Sequence, residues 1–136
     1  MDKPDQKRFA PIPVEVEVIG RKVLDAAYAV HSALGPGLLE SVYAACLVYK
    51  LRQQKVMVET QLEIPITFEG VHIETGLRLD LLVDKLVIVE LKSVENMIPL
   101  YEAQLLSYLK ISSLRLGYLI NFNVVHLKDG IKRMVN

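Results

Sequence analysis

Apolar residues between Glu17 and Leu34 recur at Ile19, Val23, Ala26 or Ala27, Val30 and Leu34, a spacing that gathers them on one face of a helix. Gly35-Pro36-Gly37 stops that helix, because glycine accepts backbone angles other residues avoid and proline lacks a donor. A second helix is expected from about Leu38 to Gln54, with Leu39, Val42, Tyr43, Cys46, Leu47 and Leu51 on its apolar side. The short connection makes the two an αα-hairpin. From Met57 to Lys92 the period changes to two, which predicts strands near 57–68, 71–83 and 86–92 with turns at Glu69-Gly70 and Asp84-Lys85. Pro99 suits the first turn of a third helix, which runs to about Ile111 and packs through Leu105, Leu106 and Leu109. A strand over 116–121 and a last hairpin, 124–127 with 131–135 around Asp129-Gly130, complete the pattern. Residues 1–16, charged and punctuated by proline, read as a loose arm, and 17–136 as a single domain. Its sheet carries helices against it, which is α/β or α+β in class.

Four charges interrupt the apolar stretch in the middle of this pattern: Arg78, Asp80, Glu90 and Lys92. On 77–83, Leu77, Leu79, Leu81 and Val83 are expected on one face and Arg78, Asp80 and Leu82 on the other. On 86–92, Val87, Val89 and Leu91 oppose Ile88, Glu90 and Lys92. A two-residue turn at Asp84-Lys85 would set the carboxylates on opposite faces of the sheet. A three-residue connection, or an equivalent bulge, pairs Asp80 with Glu90 and Arg78 with Lys92. It also keeps Leu79 and Leu81 facing Leu91 and Val89. Since a slip of one residue turns every side chain over, the core pattern favours this second register.

Carboxylates so paired repel, and burying one without a partner is costly. Three arrangements answer that cost. Arg78 and Lys92 neutralise the acids in a buried ion network; a magnesium or manganese ion bridges them through oxygen; or the hairpin is half exposed and its charges are ordinary surface charges. In the second case Lys92, on the face of Glu90, is placed to polarise an attacking water or to balance charge on a phosphate.

Composition narrows the field. The chain has 136 residues, half of them hydrophobic and a quarter charged, with 16 basic and 16 acidic side chains. That is a globular domain without a broad electrostatic pull toward nucleic acid or membrane. The balance is uneven: residues 1–109 carry 11 basic and 15 acidic groups, and residues 110–136 carry 5 and 1. Lys128, Lys132 and Arg133 in that basic end are candidates for phosphate contact or for a solvated edge. A single cysteine, Cys46, excludes an intrachain disulfide and a thiolate-rich metal site. No stretch approaches a membrane span and the opening residues lack the apolar core of a signal peptide, so a cytoplasmic protein without a membrane partner is expected.

Asp80 together with Glu90-Leu91-Lys92 resembles the signature of the PD-(D/E)XK nuclease superfamily, with Leu79 in place of the proline. The segment Gly37-Leu-Leu-Glu40-Ser-Val-Tyr43 resembles the motif of the GxxExxY proteins within that superfamily, and the ending YLINFNVVHLKDGIKRMVN resembles the family's ending. The likeness runs from about residue 17 to 136. It implies a restriction-endonuclease-like core, a mixed sheet flanked by helices, with Asp80 and Glu90 as metal-binding acids and Lys92 as the catalytic lysine. It further implies that Glu40 completes the acidic set, that Gln104 and Tyr108 form a supporting motif on the third helix, and that His31 stands where related nucleases carry a metal-facing histidine.

Each of these residues also has an ordinary reading. Glu40 suits a helix N-terminus, where free N–H groups favour a carboxylate. Gln104 and Tyr108 share a helix face and would cover a polar sheet edge. His31 would be a satisfied helix residue, and Gly35 and Gly37 the turn that aims Glu40. The expected function is a magnesium- or manganese-dependent nuclease acting on DNA or RNA, with Arg78, Lys128, Lys132 and Arg133 contacting nucleic acid. The alternative is a nucleic-acid-binding or protein-binding module that keeps the fold without hydrolysis. A chain this near a minimal core would draw on a homodimer or another protein partner to capture substrate.

Overall fold

The structure, a computed structural model, describes residues 10–136. Helices α1 (Val14–Leu34) and α2 (Glu40–Gln53) come first, followed by strands β1 (Val58–Phe68), β2 (Val71–Val83) and β3 (Val87–Lys92). Helix α3 (Pro99–Ser112) leads to β4 (Leu116–Asn121), a short 3-10 turn (Leu127–Gly130) and β5 (Ile131–Val135). The strands form one sheet in the order β1-β2-β3-β4-β5, antiparallel except where α3 carries the chain across and β4 lies parallel to β3. This is the mixed sheet flanked by helices that the resemblance implied, consistent with a restriction-endonuclease-like core.

The helices divide between the two faces. Val16, Ile19, Val23 and Val30 of α1 and Tyr43, Leu47 and Leu51 of α2 pack with Leu81, Val83, Val87, Val89 and Leu91. Leu105 and Leu109 of α3 pack on the other face with Leu82, Ile88 and Leu119. Strand β3 is covered on both sides and its run of apolar residues is almost wholly buried, as a strand enclosed between helix layers requires.

Several expectations are corrected. Helix α1 starts at Val14, inside the expected arm. Arg115 Nη2 donates to the Ala10 carbonyl at 2.7 Å, Ile12 packs on the core and Val16 is buried, so 10–16 is held to the domain. The rest of the expected arm, 1–9, lies outside the described residues. Leu39 and Val42 are exposed, because Tyr43, Leu47 and Leu51, spaced by four, define the inner face of α2. Leu105 and Leu109, without Leu106, form the buried stripe of α3. The closing hairpin does not form: β5 pairs with β4, from Leu116–Val135 to Ile120–Ile131, and residues 124–130 are a connection. Its Leu127 is buried from the 3-10 turn and Val125 faces solvent, which in the sequence imitates a strand.

Leu79 also departs from the expected face. It packs with Leu82 and Ile88 on the α3 side, whereas Leu81 and Val83 pack on the side of α1 and α2. The alternation of β2 therefore breaks at Asp80. Opposite this break, between the pairs Thr60–Leu81 and Leu62–Leu79, Gln61 takes a left-handed φ of 47°. The register of the two strands is the same on either side of this point.

Candidate active site

The turn after β2 fixes everything that follows. Asp84 and Lys85 adopt φ of 52° and 57°, and the Leu86 amide donates to the Val83 carbonyl at 3.0 Å. The connection thus takes three residues, and β2 pairs with β3 as Val83–Val87, Leu82–Ile88 and Leu81–Val89. At that point the ladder ends. The Asp80 amide donates to Glu90 Oε1 at 3.2 Å, and the Leu91 amide donates to Asp80 Oδ2 at 2.9 Å. Two side-chain carboxylates take the place of backbone carbonyls, and the strands part around them.

Glu90 is only 7% exposed. Burial, then the charge of Asp80 and a hydrogen bond with it, push its carboxyl up to about 9, against a smaller opposing pull from Lys92. Such a group carries a proton at neutral pH unless a cation arrives. Glu40 comes to the same place from α2. Its carboxyl is raised above the ordinary range by partial burial and then by Asp80, with Lys92 opposing.

The turn between α1 and α2 delivers Glu40. Gly35 and Gly37 have φ of 70° and 96°, values that favour glycine. The Tyr43 hydroxyl donates to the Gly35 carbonyl at 2.5 Å and accepts from the Leu38 amide at 3.1 Å, so the tyrosine clamps the turn from beneath. Its ring is fully buried and stacks on Phe122 with centroids 4.6 Å apart. Ser93 Oγ donates to the Leu38 carbonyl at 2.6 Å, which ties the turn to the end of β3.

From the other face, the Lys92 ammonium lies 4.3 Å from the centre of the Tyr101 ring, and Lys92, Tyr101, Gln104 and Ser107 line one cavity. Tyr108 stands near the acids: burial, then the charges of Glu90 and Asp80, raise its hydroxyl above the ordinary range. The end of β3 is held by Asn121, whose buried amide donates to the Val94 carbonyl at 3.0 Å while its oxygen accepts from the Val94 amide at 3.1 Å. Tyr101, Ser93 and Asn121 were not singled out from the sequence. Tyr101 lies three residues before Gln104 on the same helix face, a spacing that offered a signal for it. Nothing local marked Ser93 or Asn121, whose partners lie far along the chain.

Asp80 and Lys92 therefore act on both Glu40 and Glu90, Asp80 and Glu90 act on Tyr108, and Gln104 shares a cavity with Lys92. Other candidates lie elsewhere. Arg78 pairs with Glu63 at 3.0 Å on the exposed side of the sheet, so it does not neutralise the acids. His31 Nε2 donates to the Val124 carbonyl at 2.7 Å, and its ring lines a different cavity with Lys128; the GPG turn separates it from the acids. Arg133 donates to Glu17 at 2.5 Å and to the Tyr118 hydroxyl at 3.0 Å, and the Glu17 bond raises its pKa further. Lys132 is exposed on β5, the edge strand remote from β2.

Among the described residues no group of three or more His, Cys, Asp or Glu side chains is disposed to hold a metal ion. The acid pair by itself suits a hard cation that keeps several waters and takes one or two carboxylates, which describes magnesium better than zinc. No helix among the described residues is long and apolar enough to cross a membrane.

A family model described as the PD-(D/E)XK nuclease superfamily matches residues 17–134, and the chain belongs to that superfamily. No curated protein and no solved structure matches it.

Proposed function

We propose that this member of the PD-(D/E)XK nuclease superfamily is a magnesium- or manganese-dependent phosphodiester hydrolase acting on DNA or RNA, of the GxxExxY kind. One observation carries the reading: the carboxyl groups of Glu90 and Asp80 accept the backbone amides of Asp80 and Leu91 where β2 and β3 part, and Glu90 is left buried beside a second acid. A stability-driven core has no use for that arrangement, since burying like charges is unfavourable.

Asp80 and Glu90 would hold the cation, with Glu40 beside them. Bound there, the ion supplies positive charge to a scissile phosphate and acidifies water. Glu40, with its raised pKa, accepts a hydrogen bond from the attacking water and orients it. The Lys92 ammonium, set by the Tyr101 ring, stabilises charge on the phosphoryl oxygens as the pentavalent transition state forms. Gln104 shares the Lys92 cavity and Tyr108 stands near Glu90 and Asp80, where each would donate a hydrogen bond to a phosphate oxygen. Hydrolysis adds the water oxygen to phosphorus, breaks one P–O ester bond and leaves a phosphate monoester and a hydroxyl end.

The test is release of labelled fragments from DNA and RNA by the purified protein with magnesium, with manganese and with EDTA. Cation-dependent cleavage lost in Asp80→Asn supports the reading; no cleavage of any form overturns it. A second reading is a nucleic-acid-binding or protein-binding module without hydrolysis, alone or as a homodimer. It is favoured by the lack of a three-residue metal set among the described residues and by the net charge of zero.

A further inference from the structure

Beside the GPG turn, α1 and the connection between β4 and β5 frame an open cavity of about 620 Å³. Tyr28, His31 and Ser32 line it from α1, at three- and four-residue spacings that keep them on one face of the helix. His126 and Lys128 line it from the connection, and Gly35 and Pro36 belong to the turn.

The chemistry of this lining is one-sided. It contains no carboxylate, and its polar side chains are two hydroxyls, two imidazoles and an ammonium, all able to donate. Donors that come from two elements, with a cation among them, favour an anion. The imidazoles are not half of a metal centre: among the described residues no group of three or more His, Cys, Asp or Glu is disposed to hold one, and Lys128 opposes a cation.

Two details show that the walls are set in advance. His31 is only 8% exposed, its Nε2 donates to the Val124 carbonyl at 2.7 Å, and its ring centre lies 6.4 Å from that of Phe122. The proton is thereby fixed on Nε2, and Nδ1 is the nitrogen left over. Among the described residues no side-chain nitrogen or oxygen is both buried and unpaired, so Nδ1, which has no partner there, is open to solvent. The facing connection is pinned as well. Leu127 is buried, and a Cβ at Gly130 would lie 2.1 Å from the Asn121 carbonyl oxygen, so only glycine lets the chain pass.

We propose that this cavity binds a phosphate group, with Lys128 supplying the charge and Tyr28, Ser32 and His126 donating to its oxygens. His31 Nδ1 accepts from a protonated phosphate oxygen or, once protonated itself, donates to an ionised one. A phosphate turns acceptor oxygens in several directions, which matches donors on two walls, whereas a carboxylate points both of its oxygens one way. The group is supplied by a nucleic-acid backbone or by a free phosphate. None of these residues belongs to the acid site, so the proposal stands apart from the hydrolase reading.

The three histidines report on it directly. His31 and His126 line the cavity, and His72 lies on β2, 3.8 Å from Glu74. Their imidazole resonances are followed by NMR, at fixed pH and ionic strength in EDTA, as inorganic phosphate, acetate or an oligothymidylate without terminal phosphates is added. Inorganic phosphate shifts His31 and His126 to saturation and leaves His72 in place, and acetate moves none of them. Lys128→Gln weakens this binding about tenfold, as loss of a charged hydrogen-bond partner requires, while Lys110→Gln, at an exposed lysine of α3, leaves it unchanged. Thermal melts check that each variant is folded. The same shifts with the oligonucleotide assign the site to a strand's backbone, and shifts with inorganic phosphate alone assign it to a free phosphate. No shift with either, equal movement of all three histidines, equal response to acetate, or an affinity that Lys128→Gln leaves unchanged overturns the site.

Discussion

Asp80 and Glu90 bridge the parted strands with their side chains: the Glu90 carboxyl accepts from the Asp80 amide at 3.2 Å, and the Asp80 carboxylate accepts from the Leu91 amide at 2.9 Å. The sheet opens there without leaving those amides unpaired, and the opening lets α2 and α3 both reach the acids. The same relationship concentrates negative charge in a buried place, from which the first two predictions follow.

In metal-free protein, Glu90 contributes less to stability as pH rises. The folded pKa of Glu90, about 9, lies above its ordinary 4.5, so between those values the native state binds more protons than the unfolded chain. The contribution of Glu90 to stability is fully present below about 4.5 and is lost progressively until about 9. Glu90→Gln, which cannot ionise, should flatten this slope and raise the melting temperature on the alkaline side. Thermal melts of both proteins across that range measure it, and parallel profiles would contradict the assignment.

Cation binding must remove the same proton. At neutral pH, magnesium or manganese should release about one proton on binding, with affinity rising as pH approaches 9. Calorimetric titration in two buffers of different ionisation enthalpy counts that proton. Binding with no proton release would place the cation away from Glu90.

Tyr43→Phe should cost about 1–3 kcal/mol, since it leaves the Gly35 carbonyl and Leu38 amide without their partner while keeping the ring against Phe122. Denaturant unfolding measures the loss. The turn that carries Glu40 should loosen as well, visible as faster amide exchange at Leu38; unchanged exchange would mean the hydroxyl does not hold the turn.

Much of this was legible in the sequence because it depends on local rules. The change of period from helix to strand, the GPG stop and Pro99 all act within a few residues, and the corresponding elements formed close to where they were expected. The three-residue turn was legible for a different reason: a register slipped by one residue would have turned Val87, Val89 and Leu91 away from the core. What stayed hidden depends on distant partners. Leu79 turned over opposite Gln61, a residue whose left-handed backbone no spacing announces. Val124 to Leu127 imitated a strand, yet β4 took β5 as its neighbour and left that segment as a connection. Arg78 and Arg133 looked available because Glu63 and Glu17, their partners, lie 15 and 116 residues away in the chain.

Tyr101 supplies the surface on which the Lys92 ammonium rests. Tyr101→Phe preserves that aromatic face and should preserve turnover, whereas Tyr101→Leu should lower it about tenfold and relieve the upfield ring-current shift of the Lys92 ε protons in the NMR spectrum. Equal rates in the two variants would remove the ring from the account.

The most direct test of the hydrolase reading is the initial rate of cleavage by Lys92→Met on labelled single- and double-stranded DNA and RNA at saturating magnesium, with folding verified first. Methionine keeps the apolar stem and leaves Asp80 and Glu90 in place, so cation binding should persist. Turnover should fall at least about a hundredfold, the lower range for a positioned charge at a developing phosphoryl transition state. Lys92→Arg should not restore it in full, because a planar guanidinium cannot take the place of a compact ammonium. Cleavage that continues unchanged in both variants, or a folded and cation-loaded parent that cuts none of these substrates, would contradict the account.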